Sequence, residues 1–429
     1  MLKVTILKIT GLASLMTLSL LGASGANATN VNANAVVDWN EIAMTAVTAQ
    51  RPGPQSMLDI SLVHIAVHDA VQSIEKRFEP YNVEIKGAKG SRSAAVAAAA
   101  HGVLVGMYGG TPQESIVDAA YYEYIANRGL TGDPGLEVGQ AVAARILPLR
   151  RVTPSVYPAF TGGTEIGQWR PSDAAQSPMV TPWLGAADPF TLTGPARFRA
   201  DPPPALTSER YRRDYDEVKA LGSVNSTART SEQTDLAHFY NDNFFNQWNR
   251  ALRSLSKRYY LNTGDSARLF ALANMAAADA LIACWDSKKH YAFWRPSTAI
   301  QFGEMDGNPT TLGDPMWQPL TPNPSYPEYT SGANNLIGAM TRTMELFFGT
   351  DRKVFEVTSL NPNVVTKTRV YRRFSDAAAD AVEARIYLGI HFRFADTAAR
   401  TQGRKVADWA FKHFLQPKHP KGPWDHKAD

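Results

Sequence analysis

Apolar residues in this chain recur at the spacing of a helix. Ile60, Val63, Val67, Ala70, Val71 and Ile74 fall on one face at about 3.6 residues per turn. Thr111-Pro112-Gln113-Glu114 has the form of a capping box with proline at the first helical position, opening a helix towards Gly129. Asp133-Pro134 opens another through Ile146. Thr230-Ser231-Glu232-Gln233 starts a helix carrying Phe239, Tyr240, Phe244 and Trp248, and Asp265-Ser266 caps an alanine-rich segment from Ala267 to about His290. Ser331 precedes a helix towards Phe348, and Ser375-Asp376 one towards Leu388. No stretch sustains the alternation of a half-buried strand, so strands are not expected. The pattern predicts an all-α protein with helices long enough to form bundles. A chain with 44% hydrophobic and 20% charged residues has the composition of a packed globular protein, which excludes wholesale disorder and collagen.

The helical pattern breaks between about Arg150 and Ser208. Pro154, Pro158, Pro171, Pro178, Pro182, Pro189, Pro195 and the run Pro202-Pro203-Pro204 forbid long helices there, because proline lacks the N–H and clashes with the preceding turn. Trp169, Trp183 and Phe190 are spaced through the stretch, which reads as an ordered irregular connection lying on a helical body. The expected organisation is an N-terminal helical bundle with its proline-rich connection over 29–215, then a C-terminal helical bundle over 216–429.

Residues 1–28 read as a leader. Lys3 and Lys8 precede an uncharged apolar stretch from Ile9 to Gly22, and Ala23-Ser24-Gly25-Ala26-Asn27-Ala28 ends in the small-x-small form of a signal-peptide cleavage site. Cleavage is expected after Ala28, giving an exported protein, periplasmic or extracellular. No later stretch reads as long and apolar enough to span, so stable membrane insertion is not expected. The formal charge of +4 falls to about +2 without Lys3 and Lys8, too weak a field to argue for nucleic acid. The single cysteine, Cys284, excludes an intramolecular disulfide framework and any cysteine-rich metal site.

Three polar clusters in the C-terminal half are candidates for chemistry. The first is Lys288-Lys289-His290-Tyr291-Ala292-Phe293-Trp294-Arg295-Pro296, in which Lys288 extends the Leu281, Cys284, Trp285 face and points inward at a helix end. The second is Pro327-Glu328-Tyr329-Thr330-Ser331-Gly332-Ala333-Asn334, where a Ser-Gly helix start offers a hydroxyl and free N–H groups. The third runs from Arg385 to Asp396 and includes His391. Six residues of ideal helix would turn Arg385 and His391 to different faces, and Gly389 between them could relax the helix. Taken singly, these clusters also read as a cation at a helix C-terminus with an arginine stacked on Trp294, a plain N-cap and a satisfied core histidine. Taken together, they supply guanidinium forks, a point charge, N–H donors and an imidazole, the donor set that a tetrahedral oxyanion requires.

In these motifs the sequence resembles the vanadium-dependent haloperoxidases and the related type-2 phosphatidic acid phosphatases. That superfamily carries Lys-x6-Arg-Pro, then Pro-Ser-Gly-His, then Ser-Arg-x5-His with an aspartate a few residues on. Lys288, Arg295 and Pro296 match the first part. Ser331 and Gly332 match the second with Thr330 in place of proline, and Arg385 and His391 match the third with Ala384 in place of serine. His68-Asp69-Ala70-Val71 and Phe293-Trp294-Arg295-Pro296 resemble the secreted bacterial branch. The resemblance implies two four-helix bundles with the active site in the C-terminal one. It implies vanadate coordinated through His391, with Lys288, Arg295, Arg385, Ser331 and the Gly332 N–H on its oxygens and phosphate as a competing anion. In haloperoxidases, hydrogen peroxide and halide are then the substrates, with Lys288, Arg295, Arg385 and His391 as the catalytic set. In the phosphatases the matching histidine attacks a phosphomonoester.

One position departs from the signature. Where the superfamily has a proton-moving histidine this chain has Ala333, and alanine is neither acid nor base. His290 is the nearest histidine by sequence that could substitute. The expected function is a haloperoxidase-like oxidation of halide by peroxide, impaired by Ala333. The alternatives are an acid phosphatase through His391 and a non-catalytic phosphate- or vanadate-binding protein.

Overall fold

The computed structural model describes residues 34–51, 53–149 and 157–419. The expected leader lies outside them. The first helices are α1 (Ala35–Gln50), α2 (Gln55–Glu75), α3 (Arg92–Tyr108), α4 (Pro112–Asn127) and α5 (Gly135–Ile146). After the proline-rich connection come α6 (Glu209–Gly222), α7 (Ser231–Phe239), α8 (Phe244–Arg258), α9 (Thr263–Tyr291) and α10 (Pro296–Gln301). The strands β1 (Phe355–Thr358) and β2 (Thr368–Tyr371) lie between α11 (Gly332–Phe348) and α12 (Phe374–Tyr387), and α13 (Arg393–His413) closes the described fold.

The architecture is all-α, built as two helical bundles. In the first, α1, α2, α3 and α5 pack together with α4 against α1 and α3; in the second, α9, α11, α12 and α13 do so. Helix α9 also lies along α2, so one helix serves both cores. That role explains its composition. From Gly264 to Trp285 every residue is buried, with alanines at 267, 271, 273, 276, 277, 278, 280 and 283 allowing helices close approach on all sides. Such a helix is apolar all round because it has no solvent face. By length and composition α9 would pass for a membrane span, although its apolar window is wholly buried in the protein; the expectation that no later stretch reaches that length and apolarity is corrected here.

Several local expectations also change. Thr111 makes no side-chain cap, and its hydroxyl donates instead to the Tyr108 carbonyl while Glu114 reaches the Gly110 N–H. The Thr230/Gln233 capping box forms, but its helix stops at Phe239; Asn243 then caps α8, so Phe239 and Trp248 sit on separate helices. Asn262, not Asp265, caps α9. Strands were not expected, yet β1 and β2 form an antiparallel hairpin pairing Phe355 with Tyr371 and Thr358 with Thr368. Four-residue strands are too short to leave a period-two signature, and only Phe355, Val357 and Tyr371 of them turn inward.

The proline-rich connection is ordered over 157–208 and fixes one end of the second bundle. Trp169 is buried, its N–H donates to the Ala292 carbonyl at 2.6 Å, and the Trp294 N–H donates back to Gly167 at 3.0 Å. Asp279 of α9 accepts from the N–H groups of Phe190, Thr191 and Leu192 and from the Thr191 hydroxyl. Arg199 forms a bidentate pair with Asp286 at 2.7 and 2.8 Å. The result is a clamp along the last turns of α9, the segment that presents Lys288.

Candidate functional site

Each motif reaches the site for a local reason. Helix α9 ends at Tyr291, where Ala292 adopts a left-handed conformation (φ 43°) and turns the chain back. Pro296 then starts α10, leaving Arg295 as its N-cap residue, aimed inward and fully buried. Ser331 precedes α11, but its side chain makes no capping bond to the helix. It lies instead beside Asp396, whose Oδ1 accepts from Asn334 Nδ2 at 2.7 Å. The first N–H groups of α11 have no intrahelical acceptor, as at any helix start. Gly332 packs against Trp285, and a Cβ there would stand 3.3 Å from the indole ring.

The third motif is not one relaxed helix. Helix α12 ends at Tyr387, and Gly389 takes φ +77°, a conformation that ends the helix rather than bending it. Its α-carbon lies so near the Gly222 carbonyl that a Cβ would be 2.4 Å from that oxygen. The chain therefore reverses between Arg385 and His391, and both enter one volume despite their helical phase.

That volume holds Lys288, Arg295, Arg385, Ser331 and His391, all buried. Arg295 Nη1 lies 3.3 Å from His391 Nε2, and the guanidinium donates to the carbonyls of Tyr326 (3.0 Å) and Ile390 (2.7 Å). Lys288 Nζ donates to the Pro327 and Glu328 carbonyls at 2.5 and 3.0 Å. The Tyr326 ring is flanked by both cations, 4.7 Å from Lys288 Nζ and 4.9 Å from the Arg295 guanidinium carbon. Arg385 donates to the Tyr240 carbonyl at 3.4 Å, and its Nε has no partner among the described residues. The arginine next to Trp294 thus faces Tyr326, and Ser331 is not a plain N-cap.

Two residues not singled out from the sequence complete the cluster. Glu328, fully buried, places Oε1 3.0 Å from His391 Nδ1 and accepts from the Phe392 N–H at 3.0 Å. Tyr326 is the aromatic wall just described. Only the position of Glu328 in the second motif could have signalled it, since an acid before a helix ordinarily stays in water. His290 is exposed in the last turn of α9, edge-on to Tyr291, and does not join the cluster. Ala333 is buried on the first turn of α11.

Electrostatics in this volume are set by burial. It lowers Lys288 to about 7 and raises Glu328 to about 8 and Asp396 to about 7. Burial, and after it the charges of Arg295, Lys288 and Arg385, holds the His391 imidazole well below its usual range, so its ring is neutral. Three cationic side chains share the volume with two carboxyl groups whose ionisation burial opposes. Burial opposes the charges of Lys288, Arg295 and Arg385 as well, and an anion placed among them would stabilise those charges. The donors fit an oxyanion held through its oxygens: two guanidiniums, an ammonium, a hydroxyl, helix-start N–H groups and a neutral ring nitrogen.

The fold is that of solved vanadium-dependent haloperoxidases, and the three motifs resemble the signature of that superfamily. Residues 268–419 match the family model of the VCPO second helical-bundle domain, which spans all three motifs. The vanadium chloroperoxidase of Curvularia inaequalis is 24% identical over 492 residues, covering 86% of this chain and 80% of that one. Among solved structures, the first bacterial vanadium-dependent iodoperoxidase superposes with a TM-score of 0.77 at 21% identity, over 93% of this chain and 100% of that one. A holo-type bacterial vanadium-dependent chloroperoxidase gives 0.63 at 18% identity, over 84% and 91%.

Proposed function

We propose that this protein is an exported vanadate-dependent haloperoxidase-type enzyme that oxidises halide with hydrogen peroxide. The observation that carries the reading is the buried excess of positive charge around a neutral histidine, where Lys288, Arg295 and Arg385 converge on His391. Lys288, Arg295 and Arg385 would hold vanadate oxygens, with the Ser331 hydroxyl and Gly332 N–H as further donors and His391 Nε2 as the ligand to the metal. Vanadate, when bound, supplies the Lewis-acidic centre that activates peroxide towards halide. The protein's part is to keep the site dry, to spread the anion's charge over fixed donors and to present an unprotonated ring nitrogen. Phosphate shares the tetrahedral form and competes for the same donors.

Ala333 favours a second reading, a phosphate- or vanadate-binding protein without turnover, because the residue two after Ser331 cannot move a proton. Full-length protein loaded with vanadate and assayed with peroxide against iodide, bromide and chloride separates the two. Vanadate-dependent halide oxidation supports the enzyme. Stoichiometric vanadate binding without oxidation, and without hydrolysis of a phosphomonoester, supports the binding protein. Absence of vanadate binding overturns both.

A further inference from the structure

We propose that Glu328 is the positioning residue of His391, holding the imidazole as the Nδ1-protonated tautomer so that the Nε2 lone pair faces the anion. The inference rests on the proposed use of His391 as the ligand, but the tautomer itself is fixed by contacts on both sides of the ring. On one side, Glu328 Oε1 lies 3.0 Å from Nδ1 and accepts the Phe392 N–H at 3.0 Å, while Oε2 has no partner among the described residues and is free to carry the proton of the neutral acid, so Oε1 serves as an acceptor in either state. On the other, Arg295 Nη1 lies 3.3 Å from Nε2, and a guanidinium has donors only. A proton on Nε2 would face a donor, and a bare Nδ1 would face an acceptor. Both contacts select the same tautomer.

Glu328 is itself fixed by the other motifs. Its N–H donates to the Phe293 carbonyl at 3.0 Å, two residues before Arg295, and its own carbonyl accepts from Lys288 Nζ at 3.0 Å. One residue thus ties the first motif to the histidine of the third. Asp396, the acid that follows His391 in sequence, is turned towards Asn334 and Ser331 instead. Metal-bound histidines commonly donate their second ring N–H to a carboxylate, and losing that partner typically weakens metal affinity 10- to 100-fold.

The test is ¹⁵N NMR of histidine-labelled full-length protein, with the His391→Ala spectrum identifying the signal, alongside vanadate titration calorimetry. Wild type should show the Nδ1–H tautomer at His391. Glu328→Ala leaves only the Arg295 contact to select it, so the Nδ1–H population should fall and vanadate binding should weaken by about 10- to 100-fold. Glu328→Gln keeps an acceptor oxygen and should retain the tautomer, with affinity within about threefold of wild type. The inference is overturned if the wild-type proton sits on Nε2, if Glu328→Ala changes neither readout, or if Glu328→Gln loses as much as Glu328→Ala. Should Glu328→Ala not fold, the wild-type spectrum and Glu328→Gln decide. Should wild type not bind vanadate, the haloperoxidase reading fails while the tautomer still decides the role of Glu328.

Discussion

The Arg295 guanidinium stands 3.3 Å from Nε2 of His391, with both side chains fully buried. A donor-only cation against that nitrogen leaves the ring neutral and its lone pair inside a ring of positive charge. Arg295→Ala and Arg385→Ala should each weaken vanadate and phosphate together, since both anions use the same forks. Loss of one or two charge-assisted bonds at roughly 1.5–3 kcal/mol each gives about a 10- to 10⁴-fold rise in Kd. Competition calorimetry checks this, and unchanged affinity in both variants would mean the anion binds elsewhere.

The cations of the site were legible because their spacing survives translation into structure. Lys288 lies on the apolar face of α9 that the sequence already marks as inward, and Arg295 precedes a proline that starts α10. Glu328 and Tyr326 were not legible. Both lie in a connection whose burial is set by α9, by the turn around His391 and by residues 177–180, which donate to or accept from it through Val180 and Ser325. The convergence of Arg385 and His391 was half legible. Gly389 signalled a departure from helix, but its left-handed φ comes with a close approach to Gly222, 167 positions earlier in the chain. At fold level, bundle helices with caps and one apolar face could be read, whereas α13 lacks a side-chain cap and the hairpin is too short to show a period.

Gly389 offers a direct test of that convergence. Alanine there combines a positive φ with a 2.4 Å approach to the Gly222 carbonyl, so backbone must shift. Gly389→Ala should destabilise the protein by about 1–3 kcal/mol in urea denaturation and weaken vanadate binding measurably. Gly349 is the control. It has φ +66° with open space around it, so Gly349→Ala should be destabilised by strain alone and bind vanadate as wild type does. Equal affinities in the two variants would separate Gly389 from the site.

His391→Ala removes the imidazole but leaves Lys288, Arg295, Arg385 and the α11 start. Part of the anion affinity should therefore remain, while any halide oxidation or phosphoester hydrolysis disappears. Steady-state assays with calorimetry on one preparation check both halves. Full turnover in this variant would remove His391 from the chemistry.

In the first bundle His64 is buried, paired through Nε2 with Asn40 at 2.8 Å in a network that continues to Asn249 and Asn274. Burial, and then Arg253, lowers it to about 3. Below pH 6.5 the unfolded chain takes up a proton here that the folded chain refuses, so this contribution to stability is lost as pH falls from about 6.5 towards 3. The raised acids Asp59, Asp69 and Asp279 act in the opposite sense but are common to wild type and variant. His64→Gln should be less stable than wild type at pH 7, and the gap should narrow by up to about 1.4 kcal/mol per pH unit between pH 6 and 4. Urea denaturation at each pH checks it, and a gap independent of pH would show that His64 takes up its proton alike in the folded and unfolded chain.

Ala333 is where the chain departs from the signature its motifs resemble, and restoring the missing group is the sharpest test of whether the site can turn over. The residue sits on the first turn of α11, two after Ser331, next to the volume that gathers the cations. A histidine there would accept a proton from incoming peroxide or donate one to a leaving group, a role typically worth 10²–10⁴-fold. Wild type should bind vanadate, because the forks of Arg295 and Arg385 do not depend on position 333, and should turn over slowly. Ala333→His should raise halide oxidation or phosphoester hydrolysis by about tenfold or more if the ring fits the buried position. Calorimetry run in parallel shows whether vanadate is still bound. A gain in rate at unchanged affinity identifies the missing proton carrier. A folded variant that binds vanadate and stays inert favours the binding protein. A fast wild type with no gain in the variant would move the search to the buried acids Glu328 and Asp396, since His290 faces solvent.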